Sequence, residues 1–130
     1  MAAAAQKSTP TPKPTAVVCD DDPMSRRLMT TVLEQVGYEV VGRVDNAMGA
    51  IQAATMSQPD VMLLDLVLPN MSGEDAIPAI RAAAPDCTIV ICSAHDASSA
   101  VRNGAALVVA KGALNELEKV LKAIKTRVKK

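Results

Sequence analysis

Residues 17–23 read VVCDDDP: three carboxylates in succession on the end of an apolar run. Thr15–Cys19 has the composition of a buried strand, and Pro23 is the kind of residue that opens a helix. Two like unit charges about 4 Å apart near a protein surface repel by roughly 4 kcal/mol. Asp20, Asp21 and Asp22 therefore call for a positive partner, from the chain or from solution. Downstream, further apolar runs alternate with helical patterns. Strands are predicted over 39–44, 61–64, 88–92 and 107–110. Four of the five runs are continuous rather than alternating, as in parallel strands covered on both faces. The exception, 39–44, carries Glu39 and Arg43 and reads as a half-exposed edge strand. Helices are predicted over 23–35 (closed by Gly37), 46–55, 74–83, a short piece at 96–103 before Gly104, and 115–129. Along the last, Leu114, Leu117, Leu121, Ile124 and Val128 recur at helical spacing. The alternation, with no internal repeat, predicts an open parallel α/β sheet.

The bulk numbers bound the rest. A chain of 130 residues makes one domain, and at 49% hydrophobic it has the material for a real core. With one Tyr and no Trp or Phe, that core is aliphatic, and the seven Met residues read as part of it. Acids and bases balance at 14 each, so no overall field draws in nucleic acid or anionic lipid, and no partner of either kind is expected. The three Cys have no metal-binding spacing and read as reduced, inert residues of a cytoplasmic protein. The apolar runs are far too short to span a bilayer. Residues 1–14 are Pro/Thr/Ala-rich, lack the apolar centre of a signal peptide, and are expected to be a disordered tail before a domain at 15–130.

Polar residues follow each continuous run: Asp20-Asp21-Asp22 after the first, Asp65 after VMLL, Ser93 after TIVIC, and Lys111 after LVVA. In a parallel sheet all these strand ends point to one edge, where ligands bind at the reversal of strand order. With the order 2-1-3-4-5, Asp20 and Asp21 face Asp65. Carboxylates are the donors of a hard divalent cation, usually Mg²⁺. The positive partner of the opening acids is then a metal, aided by Lys111. Asp22 is expected to cap the following helix rather than to bind metal.

The stretches VVCDDDPMSRRLM, PDVMLLDLVLPNMSGEDAI, IVICSAHD and NGAALVVAKG together resemble the CheY-like receiver domains of bacterial two-component response regulators. The resemblance runs from about Thr15 to Val128. It implies a flavodoxin-like, doubly wound five-stranded parallel sheet with five helices, the fourth short or mobile. It implies that Asp65 accepts a phosphoryl group from a sensor histidine kinase or a histidine phosphotransfer protein. Asp21 and Asp65 would bind Mg²⁺ directly with the Val67 carbonyl, Asp20 would act through water, and Ser93 and Lys111 would hold phosphoryl oxygens. His95 and Val67 resemble positions that tune phosphate lifetime, although an exposed loop His is an equal reading of His95. The chain is then a stand-alone relay component acting on a downstream protein by changed contacts, and not a turnover enzyme.

Three features depart from the family's pattern. Val108 stands where receivers often carry Tyr or Phe. Gly112, not Pro, follows Lys111, so a cis peptide there is disfavoured by ∼2.5–4 kcal/mol. The segment from Ser93 to Gly104 is short by about one helical turn. Two other readings compete: a receiver-like docking module that needs no phosphate, which loss of a site residue would have favoured, and an Mg²⁺-dependent phosphatase with an Asp nucleophile. The second needs an acid two residues beyond the nucleophile, where this chain has Val67.

Overall fold

Each continuous apolar run becomes a strand whose successive side chains enter opposite cores. In the computed structural model, residues 13–94, 104, 105 and 107–128 are described. They form β1 (Thr15–Cys19), α1 (Pro23–Val36), β2 (Glu39–Val44), α2 (Ala47–Ser57), β3 (Val61–Leu64), α3 (Gly73–Ala83), β4 (Thr88–Ser93), β5 (Leu107–Ala110) and α4 (Leu114–Val128). The strands are parallel in the order β2-β1-β3-β4-β5, the flavodoxin-like order predicted above. Along β3, Val61 and Leu63 pack with α1 and α4, while Met62 and Leu64 pack with α2 and α3. Four adjacent apolar residues are thus all fully buried, the mark of a strand covered on both sides. β2 is an edge strand with no fully buried residue, as Glu39 and Arg43 foretold.

The helices begin and end where local chemistry dictates. Asp22 caps α1 through the Ser25 N–H at 3.2 Å, with Pro23 as the first helical residue. The Ser25 hydroxyl, donating at 2.8 Å, and the Ser25 N–H hold the Asp22 carboxyl below the usual range. Asn46 caps α2, and Ser72 caps α3 with Glu74 and Asp75 in its first turn. Gly37 ends α1 at φ 110°, a left-handed conformation natural to glycine. From α4, Lys125 Nζ donates to Val36 O at 2.9 Å, and Tyr38 donates its buried hydroxyl to Leu121 O at 2.7 Å. These two bonds tie the end of α1 to α4. Leu117, Leu121 and Ile124 supply the buried stripe of α4.

Cys19, Cys87 and Cys92 are free and buried. Burial, reinforced by Asp20 and Asp65 at Cys19 and Cys92 and by Asp60 at Cys87, pushes each thiol from 9.0 up to about 12. A thiol that ionises in the unfolded chain but stays neutral in the folded one lowers stability as pH rises across that window. The loss is about 1.4 kcal/mol per thiol for each pH unit above the ordinary value. The urea midpoint is therefore expected to fall markedly between about pH 8 and about pH 10, and an unchanged midpoint would contradict buried thiols.

Residues 1–12, His95 and the short helix expected over 96–103 lie outside the described residues. Among the described residues no helix is long and apolar enough to cross a membrane.

Candidate functional site

Strand register brings the polar residues together. Cys19 pairs with Leu64, so Asp20 and Asp65 leave adjacent strands side by side, and Asp65 N–H bonds Cys19 O at 2.9 Å. Ser93 pairs with Ala110, and Lys111 N–H bonds Ser93 O at 2.8 Å. This is the carboxyl edge at which strand order reverses, between β1 and β3.

One ammonium bridges two buried acids. Lys111 Nζ lies 2.9 Å from Asp20 Oδ2 and 3.0 Å from Asp65 Oδ2. The contact with Asp65 is a hydrogen bond; that with Asp20 is an ion pair without hydrogen-bond geometry, which leaves Asp20 Oδ2 buried and with no hydrogen-bond donor. The second oxygen of each acid is fixed by backbone: Asp22 N–H donates to Asp20 Oδ1 at 2.9 Å, and Val67 N–H to Asp65 Oδ1 at 3.2 Å. Asp20 is fully buried, and Asp65 and Ser93 nearly so, whereas Asp21 and the Val67 side chain are exposed. Burial acts to lower the Lys111 pKa, but the close contacts and negative charges of Asp20 and Asp65 outweigh it and raise it above 10.5.

The acids fit a hard cation. Carboxylate oxygens of Asp20, Asp21 and Asp65 all lie within 4.8 Å of one another. Lys111 pairs with two of the three clustered carboxylates, and Asp20 Oδ2 still takes no hydrogen bond. An all-oxygen donor set with excess negative charge is what Mg²⁺ takes. The positive partner that the sequence calls for is thus supplied in part by Lys111, and the remaining charge suits a divalent ion.

Comparison with known proteins agrees with this geometry. The response regulator receiver domain model matches residues 16–125. The chain belongs to the response regulator receiver family. Among curated relatives, chemotaxis protein CheY of Thermotoga maritima is 32% identical over 78 residues, which is 60% of this receiver and 65% of that protein. The match thus spans just under two thirds of CheY, and 35% of a Mycobacterium tuberculosis transcriptional regulatory protein, TcrX. Among solved structures, the receiver domain of the response regulator NarL from Mycobacterium tuberculosis superposes with a TM-score of 0.78 at 32% identity, covering 87% of this chain and 97% of that one. A Burkholderia pseudomallei response regulator, determined with a phosphorylated aspartic acid, a calcium ion and citrate, gives 0.76 at 26% identity over 89% and 71% of the two chains.

Two departures from the family's pattern have visible structural consequences in this receiver. Val108 is half-buried against the core under α2 and α3. Gly112 has φ +94°, which the ring of a proline, locked near −65°, cannot adopt. The Lys111–Gly112 peptide is trans.

Two residues that position the site escaped the sequence reading. Arg26 donates Nη1 to Asp20 O at 2.8 Å, a contact across six residues with no pattern to announce it. Gly73 lies in the NMSG stretch, and its N–H bonds Leu66 O at 2.9 Å. A Cβ on Gly73 would overlap the Asp65 carbonyl oxygen and crowd Leu66 Cα. Both obstacles are backbone, so neither can rotate away. Gly73→Ala is expected to cost about 1–3 kcal/mol and to displace Asp65. A urea midpoint equal to that of the wild type would show that the β3–α3 loop yields freely.

Proposed function

We propose that this receiver accepts a phosphoryl group from a phosphohistidine onto Asp65 and signals through changed contacts with a protein partner. The observation that carries the reading is the Lys111 ammonium shared between Asp20 and Asp65, at 2.9 and 3.0 Å, beside the Ser93 strand end. The Burkholderia response regulator determined with a phosphorylated aspartic acid and a calcium ion supports the same chemistry.

The chain's own groups account for most of it. Asp65 is held in place by Lys111 on one oxygen and the Val67 N–H on the other, so the carboxylate is oriented before a donor arrives. Its oxygen attacks phosphorus, the P–N bond to the donor imidazole breaks, and the imidazole keeps the electron pair and takes up a proton. Lys111 and the Ser93 hydroxyl receive phosphoryl oxygens. Asp20, Asp21, Asp65 and the Val67 carbonyl would hold Mg²⁺, which when bound would neutralise the charge gathering on the phosphoryl group. Converting the Asp65 carboxylate to an acyl phosphate takes its charge from one negative to about two, in a pocket where Lys111 already bridges two acids. That redirects Lys111 and biases the strand ends at Ser93 and Lys111, a change a downstream protein can read. Turnover is not required, in keeping with the signalling role of receiver domains.

Intact mass spectrometry after incubation with acetyl phosphate tests the reading. One phosphoryl adduct is expected with Mg²⁺ and none with EDTA. No adduct with Mg²⁺, or equal adducts under both conditions, would overturn it.

A further inference from the structure

We propose that Arg26 is a positioning residue for the acidic pocket, its guanidinium locking the Asp20–Asp21 peptide and so aiming the Asp21 carboxylate. The inference rests on the reading of Asp20, Asp21 and Asp65 as a divalent-cation site. Asp20 is the point where the chain leaves the sheet. Its N–H still bonds Val44 O at 3.1 Å, but three residues later the chain has entered α1. Its carbonyl takes the Arg26 guanidinium instead, at 2.8 Å. The carbonyl belongs to the same rigid peptide plane as the Asp21 nitrogen, so fixing one fixes the start of the other.

Asp21 needs such help. Its carboxylate is exposed and, among the described residues, takes no hydrogen bond of its own. Asp20 and Asp65, by contrast, are each held by Lys111 and by a backbone N–H. Asp21 is therefore aimed by the peptide that carries it. Arg26 is well anchored for the task. Its own N–H bonds Asp22 O at 2.9 Å, and Thr30 Oγ1 donates to its carbonyl at 2.7 Å. Its side chain lines a cleft with Arg43, Val44, Asp45, Asn46 and Gly49 at the end of β2. A planar fork of donors fixes a peptide carbonyl in a way that a lysine ammonium does not.

Positioning and simple charge make opposite predictions. Removing a cation near three acids should tighten Mg²⁺ binding by Coulomb attraction, while releasing the peptide should weaken it. The test is the melting temperature across a Mg²⁺ titration, from which Kd follows, for wild type, Arg26→Met and Arg26→Lys. In Arg26→Met the Mg²⁺ Kd is expected to rise about tenfold or more, as when a group supporting a metal ligand is lost. Arg26→Lys, which keeps the charge but not the fork, is expected to recover only part of that. A Kd that is unchanged or tighter in Arg26→Met overturns the proposal, even if the EDTA melting temperature falls. Arg26→Gln carries the same comparison should Arg26→Met fail to fold. A wild type that Mg²⁺ does not stabilise removes the metal reading itself, an outcome distinct from failure of the Arg26 variants alone.

Discussion

Asp65→Asn is expected to abolish the phosphoryl adduct while raising the melting temperature of the metal-free protein. The first effect is the largest the structure predicts. An amide lacks the carboxylate nucleophile, and the neighbouring acids, Asp20 and Asp21, leave a different strand from Asp65. A loss of at least about 1000-fold, below detection by intact mass, follows from removal of a covalent nucleophile. The second effect comes from charge. Asp20 and Asp65 share one ammonium, with Asp21 close by, so neutralising one carboxylate relieves repulsion. An amide oxygen can still accept from Lys111 and from the Val67 N–H. The gain in EDTA is about 1 kcal/mol, the scale of one screened pair. In Mg²⁺ the order should reverse, because the wild type gains by binding the ion and the variant gains little. A variant less stable than wild type in EDTA would contradict the repulsion on which the site depends.

Lys111→Met is expected to do the opposite. It leaves Asp20 Oδ2, buried and already without a hydrogen-bond donor, without its ion-pair partner. Breaking a fully buried pair costs about 3–5 kcal/mol, and because the Lys111 side chain keeps 27% of its exposure, about 2–3 kcal/mol is expected here. The loss should appear in EDTA and shrink in Mg²⁺, since a divalent ion then meets uncompensated charge. The Mg²⁺-induced rise in melting temperature is thus larger than in wild type. The sign with pH is set by the raised Lys111 pKa. The pairing is fully present below 10.5 and fades as pH climbs past it, so at neutral pH the wild type holds its whole advantage. Equal melting temperatures in EDTA at neutral pH would mean that Lys111 is a solvated surface residue.

The fold was legible because its signal is collective. Four apolar runs with no alternation leave little choice but strands covered on both faces, and VMLL of β3 divides its residues between the two cores accordingly. Asp65, Ser93 and Lys111 were legible for the same reason, since parallel strands deliver their ends to one edge. The pairing among them was not. That Lys111 spans Asp20 as well as Asp65 depends on where a long, flexible side chain settles, and sequence spacing carries no such information. Asp20 Oδ1 is satisfied by the Asp22 N–H, a local turn hidden within the run of three aspartates. Gly73 was visible as part of a quoted motif, yet its reason, the closeness of the Asp65 backbone, exists only once the β3–α3 loop has folded. Arg26 is one of two adjacent arginines on α1, and only the structure shows that it, and not Arg27, reaches the Asp20 carbonyl.

The most direct test of the central claim is to locate the phosphoryl group. The protein is treated with acetyl phosphate and Mg²⁺, then reduced with borohydride, which converts an aspartyl phosphate to homoserine, and the peptides are sequenced by mass. The account predicts homoserine at position 65 and at no other aspartate. Phosphate carried stably on a serine or histidine, or homoserine at position 20 or 21 in place of 65, would contradict it.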